Sequence, residues 1–153
     1  MVEPGKKALR GWRRLERVHA FVADRIESEL KSAGLPPLVW LRALEELEHA
    51  GEDGLRPFEL QRALDLEQPA VSRLLEKMAA AGAVARTDCA EDRRGWNMTL
   101  TASGREIRDR MASIHAAALS AHYLPHLSDK QARALDEILG EFLDSARAAK
   151  GDH

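Results

Sequence analysis

The sequence predicts a mainly α-helical chain with one small β-hairpin, and three observations carry that prediction. Long stretches repeat apolar residues every three or four positions, the spacing of a single helix face. Aromatic residues make up only 5% of the chain while alanine and leucine are abundant, which favours helix over sheet. Strand character is confined to two short stretches between residues 83 and 100, joined by a polar run. At 153 residues, 44% hydrophobic and 31% charged, the chain has the size and composition of one domain with its own core.

Taken in order, Trp12, Leu15, Val18, Val22, Ile26 and Leu30 recur at helical spacing from Leu9 to Lys31, giving one long amphipathic helix stopped at Gly34. Pro36-Pro37 suits a helix opening, because the first turn has no use for the missing proline N–H. Leu38, Leu41, Leu44 and Leu47, with Trp40 beside them, carry a second helix to the Gly51-Glu52-Asp53-Gly54 turn. Pro57 to Leu64 then gives about two turns of helix, Asp65-Leu66-Glu67 is a connector, and a helix from Pro69 to Ala81 ends at Gly82. Two short helices joined by so short a turn outline a helix-turn-helix, whose second helix enters the major groove of DNA. Val71, Leu74, Leu75 and Met78 form the apolar side of that second helix, and Gln68, Ser72, Arg73 and Lys77 its polar side.

Ala83-Val84-Ala85-Arg86 and Trp96-Asn97-Met98-Thr99-Leu100 read as strands, and Thr87 to Gly95 as a hairpin loop with a charged tip. Thr101 is placed to cap a helix bearing Ile107, Met111, Ile114 and Ala118, interrupted at Pro125. Ser128-Asp129-Lys130-Gln131 has the capping-box pattern, followed by Leu135, Ile138, Leu139, Phe142 and Ala146 on one face. Residues 1–7 and 149–153 are the expected frayed ends.

With 23 Lys+Arg against 25 Asp+Glu the formal charge is -2, so any surface for a polyanion is local. A lone cysteine, Cys89, excludes an internal disulfide and fits a reducing cytoplasm. No apolar run approaches the roughly 18 residues of a membrane span, and Met1 to Lys7 lacks a signal-peptide core, so a cytoplasmic protein is expected. Enzyme motifs are missing as well: the sequence has no nucleophile elbow, no Gly-rich phosphate loop and no HExxH, and its carboxylates are dispersed. No cofactor is expected.

Five blocks in sequence carry a family resemblance: Phe58-Glu59-Leu60-Gln61-Arg62-Ala63-Leu64; Gln68-Pro69-Ala70-Val71-Ser72-Arg73-Leu74-Leu75-Glu76-Lys77-Met78; Gly82-Ala83-Val84-Ala85-Arg86; Asp92-Arg93-Arg94; and Leu100-Thr101-Ala102-Ser103-Gly104. In this order and spacing the chain resembles the MarR family of winged helix-turn-helix transcriptional regulators over nearly its whole length. The resemblance implies a winged helix-turn-helix DNA-binding domain over residues 36–100 and a helical dimerisation region formed by residues 8–35 and 101–149. It further implies a homodimer on a pseudo-palindromic site in double-stranded DNA, acting as a ligand-responsive repressor. The apolar faces of the terminal helices suit burial against a second copy.

By the same resemblance Gln68, Ala70, Ser72, Arg73 and Lys77 lie on the recognition helix. Gln and Arg are suited to adenine and guanine edges, Ser72 and Lys77 to phosphates. Asp92 and Arg94 match an Asp-x-Arg wing pattern in which the carboxylate orients an arginine into the minor groove, and Arg93 adds a phosphate contact. The competing readings are a solvated charged face for Arg73, Glu76 and Lys77, and an ordinary salt-bridged hairpin tip for the wing residues. Glu67, Asp88, Glu91 and Asp92 make the proposed DNA surface weakly charged, so a dimeric interaction module without specific DNA binding is the second functional reading.

Relatives of this type take a small aromatic or phenolic ligand in a crevice between the dimer helices and the winged domain. Trp12, Arg13, His19 and Trp40, joined by Arg86, are the residues expected near that crevice, an aromatic and cationic set for an aromatic carboxylate. The alternative for both tryptophans is core packing. Cys89, beside Asp88 and near Glu91 and Asp92, is expected to be an unreactive thiol, since neighbouring carboxylates disfavour the thiolate. His115 and His122 share a helix face and His126 follows, but hydrogen bonding rather than zinc ligation is the expectation, and no metal site is assigned.

Overall fold

The computed structural model describes residues 5–88 and 95–151. Among these, the order is α1 (Lys6–Ser32), α2 (Leu38–Ala50), α3 (Pro57–Leu64), α4 (Gln68–Ala80), β1 (Val84–Asp88), β2 (Trp96–Leu100), α5 (Ala102–His122) and α6 (Asp129–Gly151). Short 3-10 turns occupy Gly51–Asp53 and Leu124–His126.

The helix starts show how local chemistry places these elements. Two prolines leave α2 without a side-chain cap of its own, and Glu27 of α1 supplies one: both its carboxylate oxygens accept the Leu38 N–H, at 3.0 and 3.2 Å. An anion at a helix N-terminus offsets the unpaired amides there and also ties α1 to α2. Thr101 caps α5 as its position suggests, accepting the Gly104 N–H at 2.9 Å while its own hydroxyl donates to Gly82 O at 2.6 Å. At α6 the box is reciprocal: Ser128 N–H donates to Gln131 Oε1 at 2.9 Å and Gln131 N–H to Ser128 Oγ at 3.3 Å.

Boundaries move where tertiary bonds override the local pattern. The first strand begins at Val84 rather than Ala83, because Ala83 is consumed by the turn: its N–H donates to Met78 O at 2.9 Å and its carbonyl accepts from Thr101 N–H at 3.2 Å. The strand then runs on to Asp88, pairing antiparallel with β2 through Val84↔Leu100, Arg86↔Met98 and Asp88↔Trp96. The helix expected from Pro69 to Ala81 spans Gln68–Ala80, with Pro69 inside its first turn. A further edge has no local signature: Leu55 bridges Met98, exchanging N–H···O bonds of 2.9 and 2.8 Å. Asn97 Nδ2 donates to Asp53 O at 2.7 Å beside it. Gly54, at φ +69, sits so close that a Cβ there would overlap the Met98 carbonyl.

One core joins these elements. Leu30 of α1, Leu41, Leu44 and Leu47 of α2, Leu60 of α3, Val71 and Met78 of α4, Met98 of β2 and Met111 of α5 are all buried. Glu48 on α2 adds ion pairs to Arg105 (3.2 Å) and Arg108 (3.4 Å) on α5. The first half of α1 and most of α6 stand outside that core: Trp12 is 59% exposed, Val18 49%, Ile138 64% and Phe142 69%. The stripe seen in the sequence is therefore buried only at its far end, by Ile26 and Leu30.

Candidate nucleic-acid interface and effector groove

The short α3 begins when the Arg56 N–H donates to the Glu59 carboxylate at 2.8 Å, with Pro57 next in line. It ends at Asp65, which adopts the left-handed region at φ 53, a conformation short Asx side chains tolerate. Leu66 N–H returns to Gln61 O at 3.2 Å, and Glu67, in extended conformation, precedes α4. The turn thus needs only three residues to redirect the chain.

On α4, Val71, Leu74, Leu75 and Met78 are buried while Gln68, Ser72, Arg73, Glu76 and Lys77 are exposed. The apolar face is locked into the core, so the polar face is presented on a rigid element. Ala70 is half-buried at the boundary between the two faces, and Glu67 is exposed just before the helix. Asp92, Arg93 and Arg94, the expected wing residues, lie outside the described residues, as does Cys89.

A groove of about 650 Å³ runs between α4, the start of α3 and the hairpin, lined by Phe58, Gln61, Ser72, Leu75, Arg86 and Trp96 among others. Arg86 Cζ lies 4.4 Å from the centre of the Trp96 ring, a cation–π arrangement. This corrects the grouping of Arg86 with the effector residues. Paired with Met98 in the ladder, Arg86 shares the hairpin face that turns towards α4.

A second, smaller groove of about 270 Å³ opens between α1, α2, α5 and α6. His19, Arg42, His115 and Tyr123 supply its polar groups, over an apolar floor that includes Ile26 and Leu139. Of the expected effector residues only His19 lines it. Trp40 is 8% exposed and packs in the core, because it shares a helix face with Ala43, Leu44 and Leu47. Trp12 and Arg13 lie on the exposed first half of α1. The sequence held signals for the missed groups: Arg42 follows Leu38 by four residues and His115 follows Met111 by four, each at the spacing of one helix face. Tyr123 carried no signal, since its placement depends on where α5 stops.

The two α5 histidines have separate surroundings. His122 Nε2 lies 2.8 Å from Glu29 Oε1 and links α5 to α1, whereas His115 borders the smaller groove. Among the described residues no group of three or more His, Cys, Asp or Glu is arranged to hold a metal ion, and no helix is long and apolar enough to cross a membrane.

The model of the MarR family matches residues 33–95, the stretch from the end of α1 to the start of β2. The chain is 33% identical over 127 residues to the HTH-type transcriptional repressor Rv2887 of Mycobacterium tuberculosis, covering 82% of this chain and 87% of that one. The structure of that MarR family protein in complex with salicylic acid aligns with a TM-score of 0.66 at 29% identity, over 92% of this chain and 97% of the other. Sco3205, a MarR family transcriptional regulator from Streptomyces coelicolor solved in complex with DNA, shares the fold with a TM-score of 0.83 at 23% identity, covering 95% of this chain and 91% of that chain. With a third of the aligned residues identical along most of both chains, the protein belongs to the MarR family of transcriptional regulators.

Proposed function

We propose that the protein is a repressor that binds a pseudo-palindromic operator as a homodimer and releases it when a small aromatic acid enters the groove between α1, α2, α5 and α6. The observation that carries the DNA reading is α4 itself: one face fixed by four buried apolar residues, and the opposite face presenting Gln68, Ser72, Arg73 and Lys77. Such a face matches the needs of major-groove reading, with Gln68 and Arg73 towards base edges and Ser72 and Lys77 towards phosphates. Asp92 and Arg94 are assigned to the wing on their sequence pattern, with Arg93 as a phosphate contact.

The exposed apolar faces of α1 and α6 support a homodimer, because Trp12, Val18, Ile138 and Phe142 would otherwise remain in water. Residues 36–100 then form the DNA-binding unit, and residues 8–35 with 101–149 the dimerisation unit. For the effector, Arg42 supplies a guanidinium for a carboxylate, and His19, His115 and Tyr123 supply hydrogen bonds over an apolar floor. The salicylic acid complex of Rv2887 supports this ligand class, and the DNA complex of Sco3205 supports the partner.

A salt-dependent titration of the purified protein against the intergenic DNA beside its own coding region tests the reading. Competitor-resistant binding by one dimer per site, weakened by an aromatic acid, is the expected result. Equal, weak binding to operator and random duplex would favour an interaction module that has kept the fold without specific DNA recognition.

A further inference from the structure

We propose that Trp96 is a positioning residue for DNA binding: its ring holds the Arg86 guanidinium at the groove beside α4, where Arg86 meets a backbone phosphate. This rests on the DNA-binding reading above. A duplex that takes α4 in its major groove carries a sugar–phosphate strand along the side of that helix. The space between α4 and the hairpin is the groove that Arg86 and Trp96 line together with Gln68 and Ser72.

Three features make the pair more than a surface contact. The ladder puts Arg86, Met98 and Trp96 on one face of the hairpin, with Arg86 opposite Met98 and Trp96 two residues before it. Met98 is buried, so the face is anchored in the core at one end and opens to the groove at the other. Trp96 is half-buried and Arg86 exposed, with the guanidinium carbon 4.4 Å from the ring centre. A guanidinium held over an aromatic ring keeps N–H donors for a phosphate.

Charge explains why a fixed cation matters here. Residues 36–100 hold eight Lys+Arg against twelve Asp+Glu, a net of -4, so this half of the protein repels DNA at long range. Glu76 lines the same groove. An arginine free to swing would fold onto that carboxylate and be neutralised; stacked on Trp96 it is held towards the hairpin side. Among the described residues no carboxylate pairs with Arg86.

The test is a double-mutant cycle read by fluorescence anisotropy on a labelled operator duplex, using the full-length protein. R86A is expected to bind about tenfold more weakly, with a salt slope lower by about one counterion per protomer. W96L should lose about as much, and R86A/W96L no more than R86A alone, the signature of two residues acting through one contact. W96F, which keeps an aromatic plate, should recover to within about threefold of the wild type. R86K tests the same point without touching the ring: it keeps the charge but not the flat stacking surface, and should remain about fivefold weaker. Wild-type-like binding by R86A, W96L or R86K, or losses that multiply in the double variant, would overturn the proposal. A wild type lacking competitor-resistant binding would overturn the DNA reading and this inference together, so the two failures are distinguishable.

Discussion

Substituting Gly104 by alanine separates two physical forces of opposite sign. Helix propensity alone favours the change by about 1 kcal/mol, since glycine in a helix costs that much relative to alanine. The surroundings of Gly104 argue the reverse: an added Cβ would overlap the Ala83 carbonyl and meet the Leu100 side chain at 2.8 Å. That carbonyl accepts the Thr101 N–H at 3.2 Å, and Thr101 Oγ1 holds both Gly82 O and the Gly104 N–H. The methyl group must therefore push α5 away from the end of β1 and strain a cap made of three bonds. Overpacking of a tight site costs roughly 1–3 kcal/mol, and weakening one or two of those hydrogen bonds adds about 1 kcal/mol. Set against the propensity gain, the net loss is about 2 kcal/mol, or roughly 4–8 °C in Tm for a domain of this size. Thermal unfolding by circular dichroism, at fixed protomer concentration because a dimer's Tm depends on it, measures this directly. A G104A protein whose Tm equals or exceeds that of the wild type would refute the close approach of α5 to the hairpin.

Arg94→Ala should weaken operator binding at least about tenfold, the scale expected for losing a minor-groove arginine from each half-site, with the dimer intact by light scattering; unchanged affinity would remove the wing assignment. Phe142→Glu should give monomers at micromolar concentration, since Phe142 is 69% exposed in the single chain and has little packing there to lose. A stable dimer of that variant would place the interface elsewhere. Arg42→Ala should keep operator affinity within about twofold while weakening release by salicylate at least about tenfold, the cost of one charge-assisted hydrogen bond. An unaltered salicylate response would move the effector out of the smaller groove.

Elements whose signals are local could be read directly from the residues. The α3–α4 pair follows from Pro57, the Asp65-Leu66-Glu67 connector and the Val71, Leu74, Leu75, Met78 spacing, all within twenty-two residues of one another. Thr101 and the Ser128-Gln131 pair act through bonds to residues three positions away, so they mark their helix ends correctly. The exposed polar side of α4 is legible for the same reason: once four apolar positions fix the buried face, the remaining side chains have only one direction to point.

The expected effector set needs more than periodicity. Trp40 and Arg86 group with Trp12, Arg13 and His19 by chemical type, an aromatic and cationic set, yet type does not say which helix face meets which neighbour. Trp40 faces the core because the rest of its face is Ala43, Leu44 and Leu47, and Arg86 faces α4 because its partner in the ladder is Met98. The Leu55–Met98 bridge and the Glu27 cap on Leu38 were equally hidden, since each joins residues far apart along the chain.

The amino-acid sequence by itself determined the order of elements and the outward side chains of α4, because these rest on spacing and capping within a few turns, and its motif blocks carried the resemblance to the MarR family. Only the tertiary structure decided which polar groups share a groove, that Arg86 lies on Trp96, and that α5 approaches the hairpin closely enough to require Gly104. Those arrangements depend on how the core residues of five helices and a hairpin fit together, and close packing of that kind couples positions that no local pattern connects.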